Sequence, residues 1–333
     1  MKQNYINSKY ILVALVFLSA CTSVGKDQKK SLQPELLKVD NNPVIKDIYT
    51  ADPAAMVYDE VFYLYTGHDE QQFGQKGFLM NDWYIFSTTD MVNWTNHGPS
   101  LNTNQFEWAK GSAWAAHVVE KNGKFYWYVT LDHAKIPGMS IGVAVGESPT
   151  GPFTDALGKA LVTNDMTKHT DISWDDIDPA VFIDDDGTAY LYWGNTVLKY
   201  AKLKSNMIEL DGPIMTIDLP AFTEGPWVFK KDDKYYLTYS AEFPEVIDYA
   251  MASSPEGPWE YKGRLNDVMP NSPTNHQGVL EFKGNWYFVY HDGSLPQGGE
   301  FRRSVCIDYQ YFNDDGTMKK IDRTPNGVNR IYK

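Results

Sequence analysis

An all-β, five-bladed propeller in a single domain is the fold this sequence predicts, and three observations predict it. A hairpin unit of two β-branched and aromatic runs around a polar turn occurs five times, starting at Asp52, Trp114, Asp178, Glu224 and His276. The starts are 46 to 64 residues apart, a blade-sized period. Between copies stands a second, more polar hairpin closed by an aromatic, with echoes at residues 87–94, 147–153 and 252–259. Each unit thus supplies about four strands, an inner apolar pair and an outer pair. Five such sheets arranged radially protect their edges by closing into a ring, which a β-sandwich would not explain.

The chain opens on a targeting segment rather than on the fold. Lys2 and Lys9 form a basic region, and residues 10–18 form an apolar run too short for a membrane span. The run ends in Leu18-Ser19-Ala20-Cys21, which resembles a bacterial lipobox. The expectation is a lipoprotein signal peptide over residues 1–20, lipidation of Cys21, a flexible tether over 21–43 and a propeller over 44–333. The protein would then be exported and held at the outer membrane, at its periplasmic face or the cell surface, by the lipid anchor only. With Cys21 lipidated, Cys306 is the one thiol left, so no internal disulfide forms.

The five units follow in order. The first runs from Asp52-Pro53-Ala54 through a turn at Asp59-Glu60 to Gly67-His68-Asp69, and the second from Trp114 through Lys121-Asn122-Gly123 to Thr130. The third opens at Ile177-Asp178-Pro179, turns at Asp184-Asp185-Asp186-Gly187 and ends at Trp193-Gly194-Asn195. That acidic turn lacks the further ligands and closing Glu of an EF-hand and reads as a hairpin turn. The fourth begins at Thr223-Glu224-Gly225-Pro226 and the fifth at Asn275-His276-Gln277-Gly278. To close the ring, either residues 44–49 or residues 317–332 complete the last blade.

Composition narrows the function. A net charge of −13 and a pI near 5.0 argue against nucleic acid, which needs a basic surface. An aromatic content of 14 % suits strands and also sugar faces, although most rings are expected in the core. In a propeller the heads of the inner strands meet at one mouth of the central channel. Asp52, Trp114, Asp178, Glu224 and His276 therefore converge, and carboxylates opening apolar strands are costly unless paired or functional. A second ring at the same mouth comprises His68-Asp69, Asp132-His133, Asn195, Glu242 and His291-Asp292, suited to sugar hydroxyls. The long polar and aromatic segments 71–83 and 163–176 are expected to shape a pocket.

Asp52 in Ala-Asp-Pro, Asp178 in Ile-Asp-Pro and Glu224 in Thr-Glu-Gly-Pro resemble, together with their spacing, the catalytic triad of glycoside hydrolase family 43. The resemblance covers residues 44 to 333. It implies a five-bladed propeller acting on arabinose- and xylose-containing plant oligosaccharides and polysaccharides. By position Asp52 would be the general base, Glu224 the general acid, and Asp178 the carboxylate that orients the acid and tunes its pKa. Repeat order agrees, because Asp178 and Glu224 head consecutive units while Asp52 stands two units from Asp178. Inversion needs such a separated acid and base. The resemblance also implies Arg302 as a substrate contact, with Arg303 on the opposite face of the strand. It gives His276 a calcium ion held through water, beside the plainer reading of a channel histidine, and no cofactor for the chemistry. Trp114, His68, Asn195 and His291 are further candidates for binding sugar.

The expectation is an inverting exo-glycosidase releasing terminal α-L-arabinofuranosyl residues. A β-D-xylosidase or an endo-arabinanase is the alternative, and a non-catalytic surface glycan-binding lipoprotein the alternative from another class. Retention of all three carboxylates favours the enzyme. Asn81-Asp82-Trp83 matches the nucleophile motif of retaining relatives only superficially, since it heads no inner strand.

Overall fold

The computed structural model describes residues 34–167, 170–269 and 271–328. The expected signal peptide and Cys21, the expected site of lipidation, lie outside these residues. The described chain is five antiparallel sheets, with two short 3₁₀ turns, Thr103–Gln105 and Asn164–Met166, as its only helical pieces. Their inner strands are Thr50–Tyr58, Ala116–Lys121, Ala180–Ile183, Phe222–Lys231 and Gln277–Phe282. Each touches the inner strand of the blade before and after it, and the fifth touches the first, so the ring closes as a five-bladed propeller. All five predicted hairpins form at the predicted places, each with its turn where polar residues interrupt the apolar alternation.

The core lies between blades and is built from large rings. Tyr65 meets Trp127 edge-on between blades one and two, Phe229 meets Trp286 between four and five, and Phe62 meets Phe282 and Tyr287 between five and one. Tyrosine hydroxyls satisfy themselves across the remaining seams, Tyr128 on the Met207 carbonyl and Tyr192 on the Pro255 carbonyl, both at 2.6 Å. Cys306 is buried and free. The Asp184–Gly187 segment is a hairpin turn, with the Asp184 carboxylate accepting from the Tyr235 hydroxyl.

Both chain ends differ from a simple closure. The fifth blade has three strands, Gln277–Phe282, Asn285–Asp292 and Ser304–Tyr309. Residues 42–50 run beside the third of these: Val44 N–H donates to Val305 O, Thr50 N–H to Arg303 O, and the Asn42 side chain accepts from Ile307 N–H. The N-terminal segment therefore closes the ring. Residues 317–321 instead return to blade four, where Ile321 N–H donates to Leu265 O. Part of the expected tether is also folded, since Glu35–Lys38 pairs with Asn93–Asn102 at the outer edge of blade one.

Candidate active site

The heads of the inner strands bound a cavity of about 410 Å³, lined among others by Asp52, Trp114, Asp178, Asn195, Glu224, Glu245 and Arg303. A local device brings the carboxylates there. In blade one three steps from Ala51 to Ala54 oppose two from Gly67 to Tyr65, so the strand bulges by one residue at Asp52-Pro53. Asp52 sits in the left-handed region (φ 48°), as does Asp178 (φ 59°) at the head of blade three, a conformation Asp tolerates better than most residues. In blade four Glu224 to Trp227 opposes Ser240 to Thr238, a second bulge, with Gly225 supplying the positive φ (60°).

The three carboxylates experience different fields. Burial opposes ionisation of Asp52, but Arg303 and then His291 outweigh it and hold the carboxyl well below its usual range. Arg303 Nη1 lies 2.8 Å from Asp52 Oδ1. The same guanidinium binds Asp69 in a fork, Nε to Oδ2 and Nη2 to Oδ1 at 2.9 Å each. Asp178 is pushed well above the carboxylate range by burial, then by Glu224 and Asp52, and its Oδ2 accepts the Gly225 N–H at 3.0 Å. Glu224 is pushed up to about 7, by burial first and then by the charge of Asp52. Burial and the neighbouring carboxyls thus disfavour a charge on Asp178, while Asp52 contributes its negative charge to the field at Glu224. Asp178 is fixed against the acid's strand through the Gly225 amide.

Other candidates sort by where they point. Asn195 donates Nδ2–H to Glu224 Oε2 at 2.6 Å, and half-buried Trp114 forms part of the cavity wall. His291 is fully buried beneath Asp52, where its Nδ1 accepts the Asp52 N–H at 3.2 Å and its Nε2 faces the Thr274 carbonyl, so it supports Asp52 from behind rather than facing the cavity. His68 turns outward to Asp82 at 2.9 Å, and its neighbour Asp69 is the one that faces inward. Arg302 is likewise displaced from the expected place. Its Nε donates to the Gln297 carbonyl and its guanidinium packs over the rings of Tyr49 and Phe73, while Arg303 takes the position beside Asp52. The chain turns tightly between Gly299 and Arg302, so side-chain parity cannot be extrapolated into Ser304–Tyr309. His133 caps Lys135 and Ile136, Asp132 pairs with Lys110, Glu242 with Arg264, and Asp292 holds Ser294, so these strand-end residues are engaged locally.

Sequence reasoning named Arg303 only as the neighbour of Arg302 on the opposite face, and it missed Glu245. Glu245 is 2 % exposed and accepts the Asn275 N–H at Oε2 (2.6 Å). It directly precedes the strand Val246–Ala252, so a carboxylate opening an apolar run was the available signal. The two expected pocket-shaping segments do contribute: Phe78 and Met80 from one, Trp174 from the other. The second segment is anchored from below by fully buried Lys199, paired with Asp175 and Asp176 at 3.4 Å each.

With that geometry in view, similarity to known proteins is informative. The sequence profile of glycosyl hydrolases family 43 matches residues 41–318. The chain is 32 % identical over 370 residues to an arabinoxylan arabinofuranohydrolase of Bacillus subtilis (strain 168), covering 95 % of this chain and 71 % of that one. It resembles the structure of an α-L-arabinofuranosidase from Clostridium thermocellum, with 36 % identity, a TM-score of 0.73, and 86 % and 98 % of the two chains covered. It also resembles a family 43 β-xylosidase/α-arabinofuranosidase from a compost microbial metagenome, solved calcium-free with xylotriose, with 29 % identity, a TM-score of 0.76, and 87 % and 98 % covered.

Proposed function

The chain belongs to glycosyl hydrolase family 43, and from that premise we propose that it is an inverting exo-glycosidase removing terminal α-L-arabinofuranosyl residues from plant cell-wall polysaccharides or their oligosaccharides. The observation that carries this reading is two carboxyls on one cavity in opposite surroundings: Asp52 is paired with the Arg303 guanidinium, which favours its ionised form, and Glu224 is buried against the Asn195 amide, where burial and the charge of Asp52 favour its acid form. Inversion asks for one of each. Asp52 takes a proton from the attacking water, Glu224 gives its proton to the leaving glycosidic oxygen, and the new bond forms on the opposite face of the sugar. Asp178 positions the acid through the Gly225 amide. Asn195 fixes the Glu224 carboxyl, and Trp114 offers a wall for the sugar.

β-D-Xylosidase activity is the second reading, favoured by the likeness to an enzyme described with both activities. Hydrolysis of 4-nitrophenyl α-L-arabinofuranoside and β-D-xyloside by the soluble protein, with Asp52→Ala as control, separates the two. Turnover of the arabinofuranoside that is lost in the variant is the expected result. Turnover of the xyloside alone gives the second reading, and silence on both sinks the exo-glycosidase.

His276 fits a calcium ion only as a single protein ligand. Among the described residues nothing hydrogen-bonds its ring, Asp178 Oδ2 stands 3.7 Å from its Nδ1, and burial pushes its pKa down to about 4, which favours a neutral imidazole. Calcium prefers oxygen, so water would complete the shell. If held there, such an ion would supply positive potential to the channel. The anchor at Cys21 and residence at the outer membrane belong to the same proposal. They are supported by Lys2, Lys9, the apolar run and Cys21. Incorporation of labelled fatty acid, abolished by Cys21→Ala, is the expected outcome, and labelling that survives the substitution overturns it.

A further inference from the structure

We propose that Lys199 is a positioning residue for the acid: its buried ammonium fixes the Asp175 carbonyl, the turn carrying Asn195 is held against that carbonyl, and Asn195 is thereby aimed at Glu224. The inference deepens the proposed glycosidase function and rests on it for the catalytic step.

The turn is laced between two strand heads. Residues 194–196 follow the strand Ala189–Trp193 and include two residues at positive φ, Gly194 (138°) and Thr196 (64°). Their three successive N–H groups donate to three carbonyls: Gly194 to Ile177 at 2.8 Å, Asn195 to Asp175 at 3.1 Å and Thr196 to Thr223 at 2.8 Å. Ile177 precedes Asp178 and Thr223 precedes Glu224, so the turn ties the heads of blades three and four together. From it the Asn195 side chain reaches the acid, donating to Glu224 Oε2 at 2.6 Å. Its Oδ1 accepts the Thr196 hydroxyl at 3.0 Å, which leaves the amide nitrogen as the end that meets Glu224.

Lys199 supplies a fourth donor from beneath. Its Nζ donates to the same Asp175 carbonyl at 2.7 Å, and it pairs with Asp175 Oδ2 and Asp176 Oδ1. All three side chains are sealed from solvent. The carboxyls are held in turn by Asn164, which donates to Asp175 Oδ1 at 2.5 Å, by the Thr167 hydroxyl on Asp176 Oδ2, and by Trp193 Nε1, 2.7 Å from Asp176 Oδ1. Sealing three ionisable groups is costly, and apolar side chains of similar volume would pack the blade without that cost. What they cannot supply is a donor to this carbonyl. A carbonyl oxygen has two lone pairs, and both are used here: the ammonium takes one and the Asn195 N–H the other.

The consequence reaches the acid through Asn195. Glu224 must present its proton to the leaving oxygen and then remain as a carboxylate that accepts from the Asn195 amide. Release of the Asp175 carbonyl lets the turn drift, and a misplacement of about 1 Å in such a site costs roughly 100-fold in rate.

The test uses the triple variant Asp175→Asn/Asp176→Asn/Lys199→Met, because Lys199→Met alone strands two buried carboxyls and can unfold the site for that reason. The triple variant removes the ammonium and leaves no unpaired charge. On an arabinoxylan oligosaccharide, which needs acid assistance, it should lower kcat/KM by roughly 10- to 100-fold, and on dinitrophenyl α-L-arabinofuranoside by less than about threefold. In an Asn195→Ala background the same three substitutions should change the ratio of the two kcat/KM values by less than about twofold, since the link they act through is already gone. The other charged groups on this cavity, Asp52, Asp178, Glu245 and Arg303, stay in place. Asn195 favours the ionised form of Glu224, so the alkaline limb of the pH profile should move up, toward its position in Asn195→Ala. With both carboxyls ionised the triad is net negative, and loss of that charge alone would move the limb down. Equal losses on both substrates, an additive effect in the Asn195→Ala background, or a limb that stays or falls would overturn the proposal. Hydrogen exchange decides independently of turnover, so a failure of the glycosidase reading stays separate. Peptides covering residues 194–197 should exchange at least about tenfold faster in the triple variant, with Gln277–Phe282 unchanged. Unaltered protection at 194–197, or the same acceleration in blade five, would overturn it.

Discussion

Four of the five inner strands are entered through an irregularity, three of those irregularities hold a carboxylate, and the difference separates the acids from the rest of the mouth. In blades one, three and four the strand head carries a bulge or a left-handed residue, and each of these heads holds a carboxylate. In blade two the irregularity, with Ser112 at φ 65° and a slipped register between Gly111 and Ala116, precedes Trp114 rather than an acid, and in blade five the ladder runs unbroken from Gln277 behind His276. A regular strand sends alternate side chains into the seams between blades. An inserted residue breaks that alternation and re-aims one side chain, at a cost in ladder hydrogen bonds. In blades one, three and four the residue at the irregularity is the carboxylate, and in blade two the cavity-lining Trp114 follows it.

The largest effects should come from the irregular heads. Asp52→Ala and Glu224→Ala are each expected to lower kcat/KM on a natural glycan by about 10²- to 10⁴-fold, and Glu224→Ala should lose much less on a nitrophenyl glycoside, which needs little protonation. Matching losses on both substrates would remove Glu224 from the acid role. Because Glu224 must be protonated to act, activity should fall as pH rises through about 7. The linkage sign follows from the raised pKa: protonation favours the native state below the ordinary Glu value of 4.5, and that stability is lost as pH climbs toward 7. Glu224→Gln should therefore melt higher than the wild type above pH 7, by roughly 2–5 °C.

The same comparison shows what the sequence made legible. Hairpins were readable because alternation and turn residues are local properties, and five copies at a blade-sized spacing leave little choice of architecture. Asp52, Asp178 and Glu224 were readable because each stands with Pro or Gly-Pro at the start of an apolar run. What stayed hidden depends on parity after an irregularity. Between Gly299 and Arg302 the chain doubles back, so the choice between Arg302 and Arg303 could not be counted out from Ser304. Glu245 lies three residues beyond Glu242 across Phe243-Pro244, where no alternation operates. Closure of the ring by residues 42–50 was likewise out of reach, because it uses scattered backbone bonds and the Asn42 side chain rather than a patterned strand.

The two adjacent arginines give the sharpest and smallest contrast. Arg303→Met strands Asp52 and Asp69 in a buried site without a cation, which should destabilise the fold by about 3–5 kcal/mol. Asp52, freed from the guanidinium that holds its pKa down, should then need a higher pH to ionise, so the acidic limb of the activity profile moves up. The stability Asp52 contributes is present above its ordinary value of 3.8 and lost as pH falls below it, so the variant's deficit should shrink in acid. Arg302→Met removes only the contacts over Tyr49 and Phe73 and the bond to the Gln297 carbonyl. It should cost about 1–2 kcal/mol in stability and leave kcat/KM within about threefold of the wild type. Thermal melts and pH profiles of the pair measure both effects. If Arg302→Met loses activity as Arg303→Met does while its melting temperature stays high, Arg302 reaches the substrate after all, and the parity drawn here for the head of Ser304–Tyr309 is wrong by one residue.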